Sequence, residues 1–152
     1  MNKKSFLTFL CVVPILAACG TASAKVPAAT ATLAPAQLTI EAKEFSFSPA
    51  HTTVKVGQVV NVVLKNTGVT VHDFTIEKIK LADKAVSHGA EHGMGDMMGV
   101  DPDTLPVHVA AEEKGEGTVT FIPSEPGEFE FYCTVAGHKA AGMVGKITVV
   151  AP

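Results

Sequence analysis

The chain has 152 residues, of which 47% are hydrophobic and 18% are charged, a composition typical of a globular protein. That length allows one domain with its own core and leaves little for a second. The formal net charge is −3, and the twelve basic residues, all lysines, form no cluster, so the composition argues against nucleic-acid binding.

The N-terminus has the composition of a targeting segment. Lys3 and Lys4 give it a positive start, and the apolar run at residues 6–16 is too short to span a bilayer comfortably. We therefore predict that residues 1–18 are a signal peptide and that the protein is exported.

The end of this segment, Leu-Ala-Ala-Cys, resembles the lipobox of bacterial lipoproteins, in which cleavage before the cysteine accompanies its lipidation. The resemblance implies a lipid on Cys19 and a membrane-anchored protein on the periplasmic or cell-surface side. The alternative is an ordinary secretory peptide cut near Ala22 or Ala24, which would give a soluble secreted or periplasmic protein. With Cys19 lipidated, Cys133 has no disulfide partner in an oxidising compartment, and an unpaired cysteine there needs an explanation.

The segment after the lipobox reads as a tether. Residues 19–37 begin with Cys19, are rich in Ala, Thr and Pro, are nearly uncharged and lack apolar periodicity. We predict that the globular domain occupies residues 38–152.

Short alternating runs separated by Gly, Asn and Pro dominate that domain and predict strands. Seven runs qualify: 38–42, 52–56, 59–66, 69–77, 117–122, 128–133 and 145–150. Strands at this spacing with little helical pattern predict an all-β, antiparallel Greek-key sandwich. The segment 80–113 breaks the rhythm, and we predict a long loop there with room for a short helix.

Two potential metal ligands lie at the ends of rows of apolar side chains that share one face of a predicted strand. His72 shares a face with Phe74 and Ile76, whereas Cys133 shares a face with Phe129 and Phe131. Taken singly, a histidine or a cysteine on such a face is usually a core residue.

Taken together with His138 and Met143, however, His72 and Cys133 match one coordination chemistry. Two imidazoles and a thiolate in a trigonal set, with a weak axial methionine, define a blue-copper electron-transfer site. The spacing requires the loop from Cys133 to Met143 to fold back on itself, and Gly137 and Gly142 supply backbone that can turn. We predict one type 1 copper ion per chain.

The stretch FYCTVAGHKAAGMVGKITVV, with VHDF upstream, resembles the cupredoxins over residues 38–150. Its Cys-x4-His-x4-Met spacing is similar to that of auracyanins and rusticyanin; plastocyanins have a shorter Cys-to-His gap, and azurins place the methionine one residue sooner. The resemblance implies that His72 and His138 are imidazole ligands, Cys133 the thiolate and Met143 the axial ligand.

The chain departs from the cupredoxin pattern at Asp73, where many members have an asparagine that braces the cysteine loop. An aspartate still accepts N–H bonds but cannot donate while ionised. Because hydrogen bonding around the sulfur helps to set the redox potential, the potentials of the family do not transfer to this chain.

A second group of soft donors lies at residues 87–99. His88, His92, Met94, Met97 and Met98 suit a weaker secondary copper site, although their spacing matches no fixed geometry. The alternative is a glycine-rich surface loop. We expect His51 and His108 to be surface or packing residues.

Two functions follow from these predictions. The first is a non-enzymatic carrier of single electrons between redox partner proteins, acting as a monomer at the outer face of a bacterial membrane. The second is an exported copper-handling protein, for storage, delivery or resistance, that uses the loop at 87–99. An oxidase is disfavoured because Tyr132 and Thr134 occupy the flanks of Cys133, where multicopper oxidases have histidines.

Overall fold

A computed structural model describes residues 33–90 and 104–152. This part of the chain forms ten β-strands: β1 Ala36–Lys43, β2 Ser46–Ser48, β3 His51–Lys55, β4 Val60–Asn66, β5 His72–Ile76, β6 Val86–His88, β7 Val107–Ala111, β8 Glu116–Phe121, β9 Gly127–Tyr132 and β10 Val144–Val150. The prediction of seven strands is therefore wrong in number. Each predicted run overlaps one strand, and β2, β6 and β7 are additional.

The strands form two five-stranded sheets, in the orders β2-β1-β4-β8-β6 and β3-β10-β9-β5-β7. Both sheets are mixed, because β1 pairs parallel with β4 and β3 pairs parallel with β10. The all-β class is confirmed, whereas the expectation of purely antiparallel sheets is wrong. Among the described residues no helix is long and apolar enough to cross a lipid bilayer.

The segment 80–113, which we predicted to be a loop, contains two strands. β6 pairs with β8, and β7 pairs with β5, so each extends one of the sheets at its edge. The described residues of this segment contain no α-helix.

Alternating side chains build the core between the sheets. In β4, Val60, Val62 and Leu64 are buried, as period-two alternation predicts. β2 is short, but it carries Phe47 into the core, where its ring packs edge-on against Phe131 at 5.2 Å between centroids.

Phe131 lies at the centre of the aromatic packing next to the cysteine loop. Its ring also packs on Phe74 at 4.7 Å between centroids. Gly145 is its register partner on β10. A Cβ atom at Gly145 would overlap the Phe131 ring and lie 2.7 Å from the carbonyl oxygen of Ala50, so this position requires glycine.

Candidate metal centre

Two neighbouring strands bring distant potential ligands together. His72 is the first residue of β5, and Cys133 directly follows β9. β5 and β9 are antiparallel neighbours with Thr75 opposite Tyr132, so the start of β5 lies beside the end of β9. The His72 Nδ1 atom is 3.9 Å from the Cys133 Sγ atom although 61 residues separate them.

The loop after Cys133 supplies the second imidazole. The His138 Nδ1 atom lies 3.5 Å from Cys133 Sγ, and the two imidazole rings are 5.0 Å apart between centroids. One donor atom from each of His72, Cys133 and His138 lies within 4.8 Å of the others. The structure thus brings together three of the four residues that sequence analysis grouped.

Backbone hydrogen bonds fold the loop back, as the spacing required. The Met143 N–H donates to the His138 carbonyl at 2.9 Å, and the Cys133 N–H donates to the Met143 carbonyl at 3.2 Å. Gly137 and Gly142 adopt φ values of 82° and 99°, which favour glycine. Met143 is fully buried, and its backbone is hydrogen-bonded to that of Cys133; its role as the axial ligand stays a prediction.

The donor set fits copper. Imidazole nitrogen and thiolate sulfur bind first-row ions at about 2.0–2.3 Å, so three donors in a trigonal plane lie roughly 3.5–4 Å apart. The distances from Cys133 Sγ to the two imidazoles, 3.9 and 3.5 Å, agree with that requirement. Two imidazoles and a thiolate with a neighbouring thioether are the ligands that type 1 copper prefers.

Without a metal these side chains favour their neutral forms. Burial, reinforced by the charge of Asp73, raises the pKa of the Cys133 thiol to about 12. Burial, followed by the proximity of His138, lowers the pKa of His72. The imidazole is therefore ready to bind an ion at neutral pH, whereas the thiol must first lose its proton.

Asp73 is a fully buried carboxylate that braces the cysteine loop. Its two oxygens accept the Thr134 N–H at 2.8 and 3.1 Å, and Oδ2 also accepts the Thr134 hydroxyl at 2.7 Å. Cys133 Sγ lies 3.8 Å from Oδ2. The aspartate thus performs the bracing that the resemblance assigns to asparagine, and it adds a negative charge beside the sulfur.

Sequence analysis missed the turn between β1 and β2. Glu44 and Phe45 lie there, and the Glu44 Oε1 atom is 3.9 Å from the His72 Nε2 atom. The half-exposed Phe45 ring contacts the His138 ring edge-on at 5.3 Å between centroids. Glu44 also accepts the Val69 N–H, which lowers the pKa of its carboxyl group. No periodicity in the sequence indicates that this turn reaches the histidines.

His108 is a second residue whose environment the sequence did not reveal. It lies on β7 opposite Thr75, and its Nδ1 atom is 2.8 Å from the Thr75 hydroxyl. That hydroxyl is 3.0 Å from Asp73 Oδ1. His108 is therefore part of the polar network behind the cysteine loop.

The remaining predicted residues lie elsewhere. His88 is exposed at the end of β6, outside the cluster of potential ligands that the described residues form. His51 is exposed on β3, as expected. His92, Met94, Met97, Met98 and Cys19 lie outside the described residues, so the secondary copper contacts and the lipid anchor stay predictions.

A two-sheet β-sandwich that buries two imidazoles, a cysteine thiol and a methionine next to one loop has the architecture of a type 1 copper protein. The family model described as copper-binding proteins of the plastocyanin/azurin family matches residues 34–150. The chain belongs to this family.

Comparisons with individual proteins agree. Over 104 residues the chain is 38% identical to the copper-resistant cuproprotein CopI of Rubrivivax gelatinosus, covering 68% of this chain and 59% of that protein. The chain thus spans less than two thirds of that relative's length. It is 30% identical over 128 residues to CopI of Pseudomonas aeruginosa, covering 68% of this chain and 70% of the relative.

Solved structures show the same fold. Dithionite-reduced auracyanin from the photosynthetic bacterium Roseiflexus castenholzii superposes with a TM-score of 0.58 at 23% identity, covering 77% of this chain and 98% of that one. Auracyanin A from Chloroflexus aurantiacus gives 0.56 at 22% identity, covering 76% and 99%.

Proposed function

We propose that the protein holds one type 1 copper ion between His72, Cys133, His138 and Met143 and moves single electrons through it. The observation that carries this proposal is the close arrangement of the donors. Donor atoms of His72, Cys133 and His138 lie within 4.8 Å of one another, and backbone hydrogen bonds fold the loop that also carries the buried Met143. A bound copper ion would supply one-electron redox chemistry between Cu(I) and Cu(II).

The surface beside His138 suits contact with a redox partner. Phe45 is 50% exposed and touches the His138 ring, Val69 is 68% exposed, and Ala136 and Ala140 are exposed on the loop. Apolar surface at the edge of a redox centre, here bordered by the charged groups of Glu44 and Lys139, favours brief, close docking of another protein. We infer that electrons enter and leave the site there.

The names of the relatives favour a second function, copper tolerance. Both CopI proteins are described as copper-resistant cuproproteins. A chain that binds copper tightly could serve tolerance by sequestering or delivering the ion, with the donors at 87–99 as an accessory site. The buried, hydrogen-bonded centre supports redox use more directly, because delivery requires copper that exchanges.

Several further features belong to this proposal. We infer that the protein is exported, with residues 1–18 as the signal and Cys19 as the lipid anchor, and that it acts as a monomer. We also infer that it is not an enzyme. Tyr132 and Thr134 flank Cys133, and neither can ligate further copper ions as histidines would.

Two measurements separate the functions. For an electron carrier we expect a reversible one-electron wave in cyclic voltammetry and no loss of copper to an equimolar Cu(I) chelator. For a copper-handling protein we expect transfer of copper to the chelator within minutes. The matched control is the variant with serine at the five donors of the loop, namely His88, His92, Met94, Met97 and Met98. It should slow the transfer of copper to the chelator only if this loop handles copper.

A further inference from the structure

We infer that His108 is a positioning residue for the copper centre and acts through Thr75 on Asp73. The path is continuous. His108 Nδ1 lies 2.8 Å from Thr75 Oγ1, Thr75 Oγ1 lies 3.0 Å from Asp73 Oδ1, and Asp73 holds the Thr134 N–H beside Cys133. This inference rests on the proposed copper site, but its first link needs no metal.

The single hydroxyl proton of Thr75 determines the direction of the bonds. Asp73, as a carboxylate, can only accept, so Thr75 donates its proton to Oδ1. The His108 Nδ1 atom must then carry a proton and donate it to Thr75 Oγ1. Burial lowers the pKa of His108, which agrees with a neutral imidazole protonated on Nδ1.

Asp73 needs this support because its charge is fully buried. None of the ion pairs within residues 33–90 and 104–152 includes Asp73. A buried carboxylate without a cation depends on hydrogen bonds. Thr134 supplies them on one side and Thr75 on the other, and His108 stops the Thr75 hydroxyl from turning away.

A change at His108 affects the metal site because Asp73 is hydrogen-bonded to Thr134, the residue that follows Cys133. The N–H dipole of His108 points along the network toward the carboxylate and offsets part of its negative charge. Removing that dipole makes the surroundings of Cys133 more negative, which disfavours Cu(I) relative to Cu(II). The reduction potential should therefore fall.

Four variants test the path. His108→Leu removes the donor to Thr75, and Thr75→Val removes the donor to Asp73; each substitution keeps a side chain of similar volume. His108→Asn restores a donor, because its amide nitrogen reaches the place of Nδ1. His108→Gln places its amide near Nε2 and serves as the matched polar control.

We expect His108→Leu to lower the preference for Cu(I) about fivefold, a fall of roughly 40 mV in the one-electron potential. Thr75→Val should lower the potential at least as far, because it also removes the direct donor to Asp73, and the double variant should match Thr75→Val, because both substitutions break one path. His108→Asn should return the potential to that of the parent protein, and His108→Gln should not.

Hydrogen exchange of the Thr134 amide tests the same path without copper. Protection should fall several-fold in His108→Leu and Thr75→Val and recover in His108→Asn. Additive effects of the two substitutions, or equal effects of His108→Asn and His108→Leu, would overturn the inference. Failure of every variant and the parent to bind copper would refute the copper site instead, and the exchange data would still decide the role of His108.

Discussion

Replacing Asp73 by asparagine isolates the charge that this chain places beside its sulfur. The substitution keeps the shape of the side chain. Its amide oxygen can still accept the Thr134 N–H, and its amide nitrogen can donate to the Thr134 hydroxyl. What disappears is a negative charge 3.8 Å from Cys133 Sγ.

The direction of the effect is seen at the thiol, and its size follows from the distance. Burial, and after it the Asp73 charge, raise the pKa of Cys133 to about 12. A unit charge about 4 Å away contributes about 1 kcal/mol at the dielectric constant of water and about 4 kcal/mol at an effective value of about 20, so we expect about 1–2 kcal/mol, toward the lower of these limits. A negative charge opposes the addition of an electron, so removing it should raise the one-electron potential by about 40–90 mV.

Voltammetry of copper-loaded parent and Asp73→Asn protein measures this shift, and spin resonance checks that the ligands are unchanged. Glu125→Gln is the matched control, because it removes an exposed carboxylate at the opposite end of β9 from Cys133. An Asp73→Asn potential equal to or below that of the parent, with an intact spectrum, would refute the reasoning.

Three further predictions concern proton release on copper uptake, the pH dependence of stability and core packing. Copper uptake at pH 7 should release about one proton per chain, because the Cys133 thiol must ionise to bind the ion. Calorimetry in buffers of different ionisation enthalpy measures the number of protons released. An equal release by Cys133→Ser would contradict the assignment. The fold lowers the pKa of His72, so the neutral imidazole contributes to stability above about pH 6.5, and this contribution is lost as the pH falls through the pKa of the folded state. Denaturant titrations at a series of pH values should therefore show that His72→Gln loses less free energy of unfolding in acid than the parent protein does. Gly145→Ala should lower the free energy of unfolding by about 1–3 kcal/mol because its Cβ overlaps the Phe131 ring, and an unchanged denaturation midpoint would show that the ring moves freely.

The metal donors could be predicted because their chemistry is local. Cys133, His138 and Met143 lie on one loop at a recognisable spacing, and His72 ends an apolar row whose direction follows from alternation. The long strands β4, β8, β9 and β10 were predicted for the same reason, because a strand with one buried face has apolar residues at every second position of its sequence.

Features that depend on pairing could not be predicted in this way. The alternation of a strand does not tell which neighbour it has, so the parallel pairs β1–β4 and β3–β10 left no signal. The strand β2 is too short to show a period. β7 was different: Val107, Val109 and Ala111 alternate and could have indicated a strand, but the whole segment 80–113 was predicted to be a loop because it breaks the rhythm of the other runs. The role of His108 depends on the register of β7 against β5.

The unequal spacing of the four donors along the chain affects how copper is coupled to folding. Three of them lie within residues 133–143, whereas His72 is 61 residues from Cys133. An unfolded chain loses the distant imidazole but keeps a thiol, an imidazole and a thioether close together. It therefore retains affinity for Cu(I), and a ligand that also binds the unfolded state stabilises the fold less than its affinity for the native state implies. The rise in melting temperature with added Cu(I) will accordingly understate how tightly the folded protein holds the ion.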